Sequence, residues 1–192
     1  MSELDFADVR LGQVDGVQSW KMPVFHDSRG RLFKAYVAGE LGSFPIPFET
    51  YEHFFTESKK NVFRGMHFQQ SPHAAKKIVS LVKGRADVFL LDTRVESSTY
   101  GVVHKELFDE ATPISIFIPT GVALGYLILT EGTTISYRMD VAFCANCDAG
   151  IDPEVISRFL QISIDETIRS ERDKLLNSFH DDRHFSDCLK KM

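Results

Sequence analysis

From residue 62 to about residue 139 the chain alternates short apolar runs with turn residues at intervals of about 8–12 positions, the rhythm of an antiparallel barrel or sandwich. Candidate strands fall at residues 32–37, 52–56, 77–83, 86–92, 101–107, 114–118, 125–129 and 133–139. Eight such runs suit a jelly roll. Asp27-Ser28-Arg29-Gly30, Lys83-Gly84, Pro119-Thr120-Gly121 and Glu131-Gly132 supply residues that fix a turn or tolerate positive φ, and so set strand boundaries. Beyond Asp152 the pattern changes: Pro153 stands near a helix start, and polar residues recur at helical spacing through Leu176. The expected fold class is all-β, a jelly-roll barrel with a small helical C-terminal cap.

With 192 residues, 43% of them hydrophobic and 26% charged, the chain can bury a core without disulfide staples. No repeat, low-complexity tract or linker divides it. Residues 1–192 are therefore read as a single domain: an N-terminal arm to about residue 25, a barrel over about 26–143 and a helical segment over about 152–178. The polar stretch at residues 180–184 reads as a frayed tail.

A formal charge of −5 argues against non-specific nucleic-acid binding, which needs a lysine and arginine surplus to displace phosphate counterions. No run approaches the ~18 apolar residues that span a bilayer, and the first ten residues are acidic where a signal peptide is basic, so a cytoplasmic protein without membrane contact is expected. The three cysteines are Cys144, Cys147 and Cys188. Cys144-Ala-Asn-Cys147 has redox or half-zinc spacing, but no second pair accompanies it, and two reduced loop thiols are the expected reading.

Chemistry concentrates in Asn61-Val62-Phe63-Arg64-Gly65-Met66-His67-Phe68-Gln69, followed by Pro72-His73 and Lys76-Lys77. Strand alternation puts Arg64, Met66 and Phe68 on one face and Phe63, Gly65, His67 and Gln69 on the other, with Gly65 leaving room for a ligand. Lys77 begins a strand that could run alongside. A cation and an imidazole at a barrel mouth point to an anionic ligand and proton transfer.

Arg64-Gly65-Met66-His67-Phe68-Gln69 resembles the Arg-Gly-Leu-His-Phe-Gln signature of the dTDP-4-dehydrorhamnose 3,5-epimerase family, whose members are cupin-type barrels. Asp27-x-Arg29-Gly30-x-x-Phe33, Pro72-His73-Ala74, Lys77, Gly84, Asp92, Arg94, Ile118-Pro119-x-Gly121-x-Ala123-x-Gly125, Tyr137 and Ser170-Glu171-Arg172-Asp173 also fall at the family's spacing, over about residues 20 to 176. The resemblance implies epimerisation at C3, C5 or both of a nucleotide-linked 4-keto-6-deoxy sugar. His67 would be the base, oriented by Asp173. Lys77 would stabilise the enolate and Tyr137 would return a proton to the opposite face. Arg29 and Arg64 would meet the diphosphate, with Phe33, Lys34, Glu52, Gln69 and His73 as further substrate contacts. The resemblance also implies a homodimer in which an N-terminal strand crosses to the partner, and no cofactor.

Departures are as informative. Leu124 stands where the family has a pocket histidine, and Phe143 where it has a second tyrosine. Lys34, Glu52 and Phe54 replace a glutamate, a glutamine and an asparagine on the nucleotide side, which leaves CDP or GDP open as carrier. Metal-binding cupins need His-x-His and a later histidine; His67-Phe68-Gln69 and Leu124 lack them, so no metal is expected. The alternatives are a non-catalytic sugar-nucleotide-binding cupin, a single-centre epimerase and, less favoured, a ketoisomerase of related fold.

Overall fold

The structure, a computed structural model, describes residues 10–37 and 48–179. The expected tail at 180–184, Cys188 and the start of the expected arm lie outside the described residues. Runs such as Ile114-Ser115-Ile116-Phe117-Ile118 are dense in β-branched and aromatic residues, which pack well on a pleated surface, and they form strands. In chain order these are β1 Arg10–Leu11, β2 Gln18–Lys21, β3 Val24–Asp27, β4 Gly30–Phe33, β5 Glu52–Ser58, β6 Phe63–Gln69, β7 Lys77–Lys83, β8 Arg85–Asp92, β9 Val103–Asp109, β10 Ile114–Ile118, β11 Val122–Ile128, β12 Thr133–Met139 and β13 Asp148–Gly150.

They assemble into a six-stranded sheet, β1-β2-β10-β7-β12-β5, facing a five-stranded sheet, β13-β6-β11-β8-β9, with β3 and β4 as a separate hairpin. This is the expected jelly-roll architecture. The space between the sheets is filled at one end by Val79, Leu81, Val88, Leu90, Ile116, Ile118, Val122, Ile128 and Ile135. The five-stranded sheet is covered on its outer face too, where Phe89, Leu91, Ala123 and Leu127 pack against Ile151, Ile156 and Ile164 of the C-terminal segment. Burial on both faces explains why β8 and β11 read as continuous apolar runs and not as an alternation.

Four local details sharpen or depart from the expectations. The segment over 152–178 forms only short 3-10 helices, Pro153–Phe159, Ile164–Glu166 and Asp173–Leu175. Asp152 and Ser163 each start a new capped turn, and Leu160 and Thr167 end one in extended conformation, so no helix propagates. The strand expected at 32–37 is the shorter β4, which ends where the Lys34 N–H turns back to the Pro23 carbonyl. β2, within the expected arm, is hydrogen-bonded along β10. Finally, β7 lies in the sheet opposite β6, paired with β10 and β12, and does not run beside it.

Asp92 and Arg94, which match the family pattern, belong to the fold's frame. The fully buried Asp92 carboxylate accepts from the Arg94 guanidinium and from the Ser97 and Thr99 hydroxyls, tying the loop after β8. Among the described residues no helix is long and apolar enough to cross a membrane.

Candidate active site

β6 carries the site, and its register explains how. Leu124 of β11 is the cross-strand partner of His67, and Tyr126 that of Arg64, so two residues of β6, Gly65 and Met66, lie opposite the single Gly125. That extra residue is a β-bulge, and it reverses the alternation. Arg64 therefore lines the same cavity as His67, against the expectation that they take opposite faces, while Met66 and Phe68 enter the outer core. Gly65 is required at the bulge. Its φ is +122°, and a Cβ would stand 2.5 Å from Gly125 Cα and 2.6 Å from the Leu124 carbonyl oxygen.

The cavity, about 550 Å³, opens between the two sheets and is lined by His67, Lys77, Tyr137, Tyr126, Arg64 and Asp173 among others. His67 Nε2 lies 2.8 Å from Asp173 Oδ1. Asp173 is 4% exposed and also accepts from the Gly65 N–H at 3.4 Å, and its own N–H donates to the Ser170 hydroxyl. Burial alone would push this carboxyl up; the His67 hydrogen bond and charge, with the Gly65 N–H, outweigh it and hold the group below its ordinary value. A carboxylate that accepts from Nε2–H leaves the Nδ1 lone pair as the basic site of the ring.

Lys77 comes from the opposite sheet and its ammonium donates to the His67 carbonyl at 3.3 Å. Burial lowers its pKa from 10.5 to about 8, against the opposing pull of Asp148. Tyr137, on β12, is buried and stacked on Phe54, with centroids 4.8 Å apart and planes 6° from parallel. Burial first, and the neighbouring Tyr126 second, push its phenol well above its usual value, so it stays protonated. Imidazole and phenol thus stand on facing sheets with the ammonium between strands of both, the parts needed to move a proton on carbon beside a carbonyl.

The other sequence candidates scatter. Gln69 lines the cavity, but its amide is engaged: it accepts from the Cys144 N–H at 2.7 Å and donates to the carbonyls of His73 at 2.8 Å and Ala142 at 3.3 Å. Glu52 accepts from the Phe143 N–H, holding that ring at the cavity edge. His73 is exposed and outside the cavity lining. Arg29, Phe33 and Lys34 sit on or just after the β3–β4 hairpin, away from this cavity, with Arg29 exposed and paired to Asp27. Sequence reasoning missed Thr56, Asp148 and Arg169 as lining residues. Alternation on β5 places Thr56 beside Phe54 and was a usable signal; Asp148, paired with Arg172 at 2.6 Å, follows an irregular loop and gave none.

A model of the dTDP-4-dehydrorhamnose 3,5-epimerase family matches residues 12–181. A dTDP-4-dehydrorhamnose 3,5-epimerase of Mycobacterium tuberculosis is 27% identical over 181 residues, 91% of this chain and 90% of that protein. A solved structure of a Mycobacterium tuberculosis epimerase has a TM-score of 0.83 at 24% identity, covering 94% of this chain and 92% of that one, a likeness of fold. ChmJ, a 3′-monoepimerase of Streptomyces bikiniensis solved with dTDP-quinovose, has a TM-score of 0.79 at 20% identity over 86% of this chain and 85% of its own, again a likeness of fold.

Proposed function

This chain belongs to the dTDP-4-dehydrorhamnose 3,5-epimerase family, and from that premise we propose that His67, Asp173, Lys77 and Tyr137 are the working groups of its epimerisation of a nucleotide sugar. It is an isomerase of the epimerase class. The single observation that carries the residue assignment is the His67–Asp173 contact inside a cavity walled on the far side by Lys77 and Tyr137.

The steps follow from those groups. His67 Nδ1 removes the proton from the sugar carbon next to the C4 ketone, while Asp173 fixes the ring and stabilises the imidazolium. The electron pair moves onto the ketone oxygen, where the Lys77 ammonium offsets the charge. Tyr137 delivers its phenolic proton to the opposite face of the same carbon, and inversion is complete. Arg64, brought into the cavity by the bulge, gives one N–H to the Ser58 hydroxyl at 3.0 Å and has others to offer a diphosphate oxygen, so that the carrier nucleotide extends from the cavity mouth.

A second reading concerns how many carbons are inverted. Leu124, the cross-strand partner of His67, places an apolar side chain beside the base, where a histidine would offer a hydrogen bond to the sugar. This favours a single centre. In D₂O with an NDP-4-keto-6-deoxyhexose, NMR reads the two carbons separately: deuterium entering at C3 and C5 supports double epimerisation, and at one of them a monoepimerase. No deuterium at either carbon with any nucleotide that binds would refute the assignment. Tyr137→Phe should uncouple the halves of the reaction, keeping deuterium exchange while net inversion falls by roughly 10²-fold. Loss of both together would remove Tyr137 as the acid.

We further propose a cytoplasmic homodimer. Phe25 and Leu32 on the hairpin are 43% and 56% exposed, an apolar pair that a second copy would cover, carrying Arg29 toward the neighbouring site. Sedimentation equilibrium should give twice the 21.8 kDa chain mass, and a monomer at micromolar concentration would overturn this.

A further inference from the structure

Cys144 and Cys147 lie outside the cavity, and the fold brings His73 to them. One ligand atom from each of His73, Cys144 and Cys147 falls within 4.8 Å of the other two. Both thiols are free, Cys147 is buried, Cys144 is half-buried and His73 is exposed. We propose that these three side chains form a binding site for a thiophilic divalent cation, Zn²⁺, with the fourth coordination position open to solvent. The proposal does not depend on the epimerase residues assigned above.

Three observations support it. The donor set is two sulfurs and an imidazole, which favours Zn²⁺ over Mg²⁺ or Ca²⁺, both of which take oxygen ligands. The ligand-bearing backbones are already held without an ion: the Gln69 amide accepts from the Cys144 N–H and donates to the His73 carbonyl, and the Gln70 N–H donates to the Cys147 carbonyl. Coordination would therefore cost little backbone ordering. Lastly, the two thiols are neighbours on a closed turn in which the Cys147 N–H donates to the Cys144 carbonyl; their sulfurs, 2.7 Å apart, need only part to the roughly 3.8 Å that two ligands of a tetrahedral Zn²⁺ take. Sequence reading saw half a site because the third ligand arrives from the loop before β7.

The site has a consequence for the cavity. Gln69 stands two residues after His67 on β6, and the 140–147 loop it grips carries Phe143 and leads into Asp148 of β13, both cavity-lining. A cation would fasten that loop to the loop holding His73, and so fix one edge of the cavity mouth.

Chelator-treated, reduced protein should bind one Zn²⁺ per chain by metal analysis, and Co²⁺ in its place should show a sulfur-to-metal charge-transfer band. Thermal unfolding should shift upward with Zn²⁺. Cys144→Ser and Cys147→Ser should each abolish the cobalt band, His73→Ala should weaken binding by at least about tenfold, and Cys188→Ser should retain it. Substoichiometric zinc in the reduced wild type, or a band that survives Cys147→Ser, overturns the proposal. So does a Cys144–Cys147 disulfide that forms unhindered in air with Zn²⁺ present, since coordinated thiolates are not free to pair.

Discussion

His67→Asn should lower kcat by about 10³-fold or more and abolish deuterium exchange at every sugar carbon, with the fold retained. A 10³-fold loss is about 4 kcal/mol of transition-state stabilisation, the scale expected when a general base is removed and water cannot take its place. Asparagine keeps a polar group near Asp173 but has no basic nitrogen, so the test separates proton removal from packing. The same substitution should leave a second mark. Asp173 is held below its ordinary pKa against its burial by His67, and a depressed carboxyl contributes stability that is present above the unfolded value and lost as pH falls through the folded one. Without the imidazole the folded value rises toward the unfolded one, which is the same in both proteins, so the stability lost as pH falls below that unfolded value should be smaller in His67→Asn than in wild type. Wild-type exchange rates in the variant would eliminate His67 as the base. An unchanged acid-unfolding curve would show that His67 does not set the Asp173 carboxylate.

The barrel was legible because turn residues punctuate it at strand-length intervals, and β7, β10 and β12 appear at 77–83, 114–118 and 133–139 with the bounds read from sequence. What failed was information carried by pairing and not by the strand itself. The bulge at Gly65 and Met66 is fixed by Gly125 across the ladder, and no pattern within β6 announces it, so strict alternation sent Arg64 to the wrong face. Lys77 follows His67 by ten residues, which suggests neighbouring strands, yet the chain crosses to the other sheet and the two residues approach through the barrel. Gln69 shares a face with His67 as expected, but its amide is committed to three backbone groups from two loops, a use that composition and spacing do not reveal. The C-terminal segment had helical polarity spacing, and its caps, read one by one, would have cut it into short helices.

Lys77→Met should lose about 10²- to 10³-fold in kcat and yet fold more stably at neutral pH. The wild-type ammonium is buried, and burial lowers its pKa from 10.5 to about 8 in the folded protein. A lysine whose folded pKa lies below its unfolded one destabilises the fold while both states are protonated, that is below pH about 8. Each tenfold loss of proton affinity corresponds to roughly 1.4 kcal/mol, so the cost of burying this ammonium is on the order of 3 kcal/mol, which a thioether of similar length does not incur. Between pH about 8 and 10.5 the folded protein loses the proton first, so wild-type stability rises with pH relative to the variant and the two curves converge. Denaturant unfolding at pH 7 and pH 10 reads both ends. The same titration should appear in catalysis. An enolate is stabilised by the ammonium and not by the neutral amine, so kcat/KM should fall above pH about 8, while Tyr137, pushed well above its usual value by burial, remains a phenol. In Lys77→Met the residual activity should lack that alkaline limb. If the limb persists in the variant, another group titrates there; if the variant is less stable at pH 7, the ammonium is better satisfied in the folded chain than its surroundings imply.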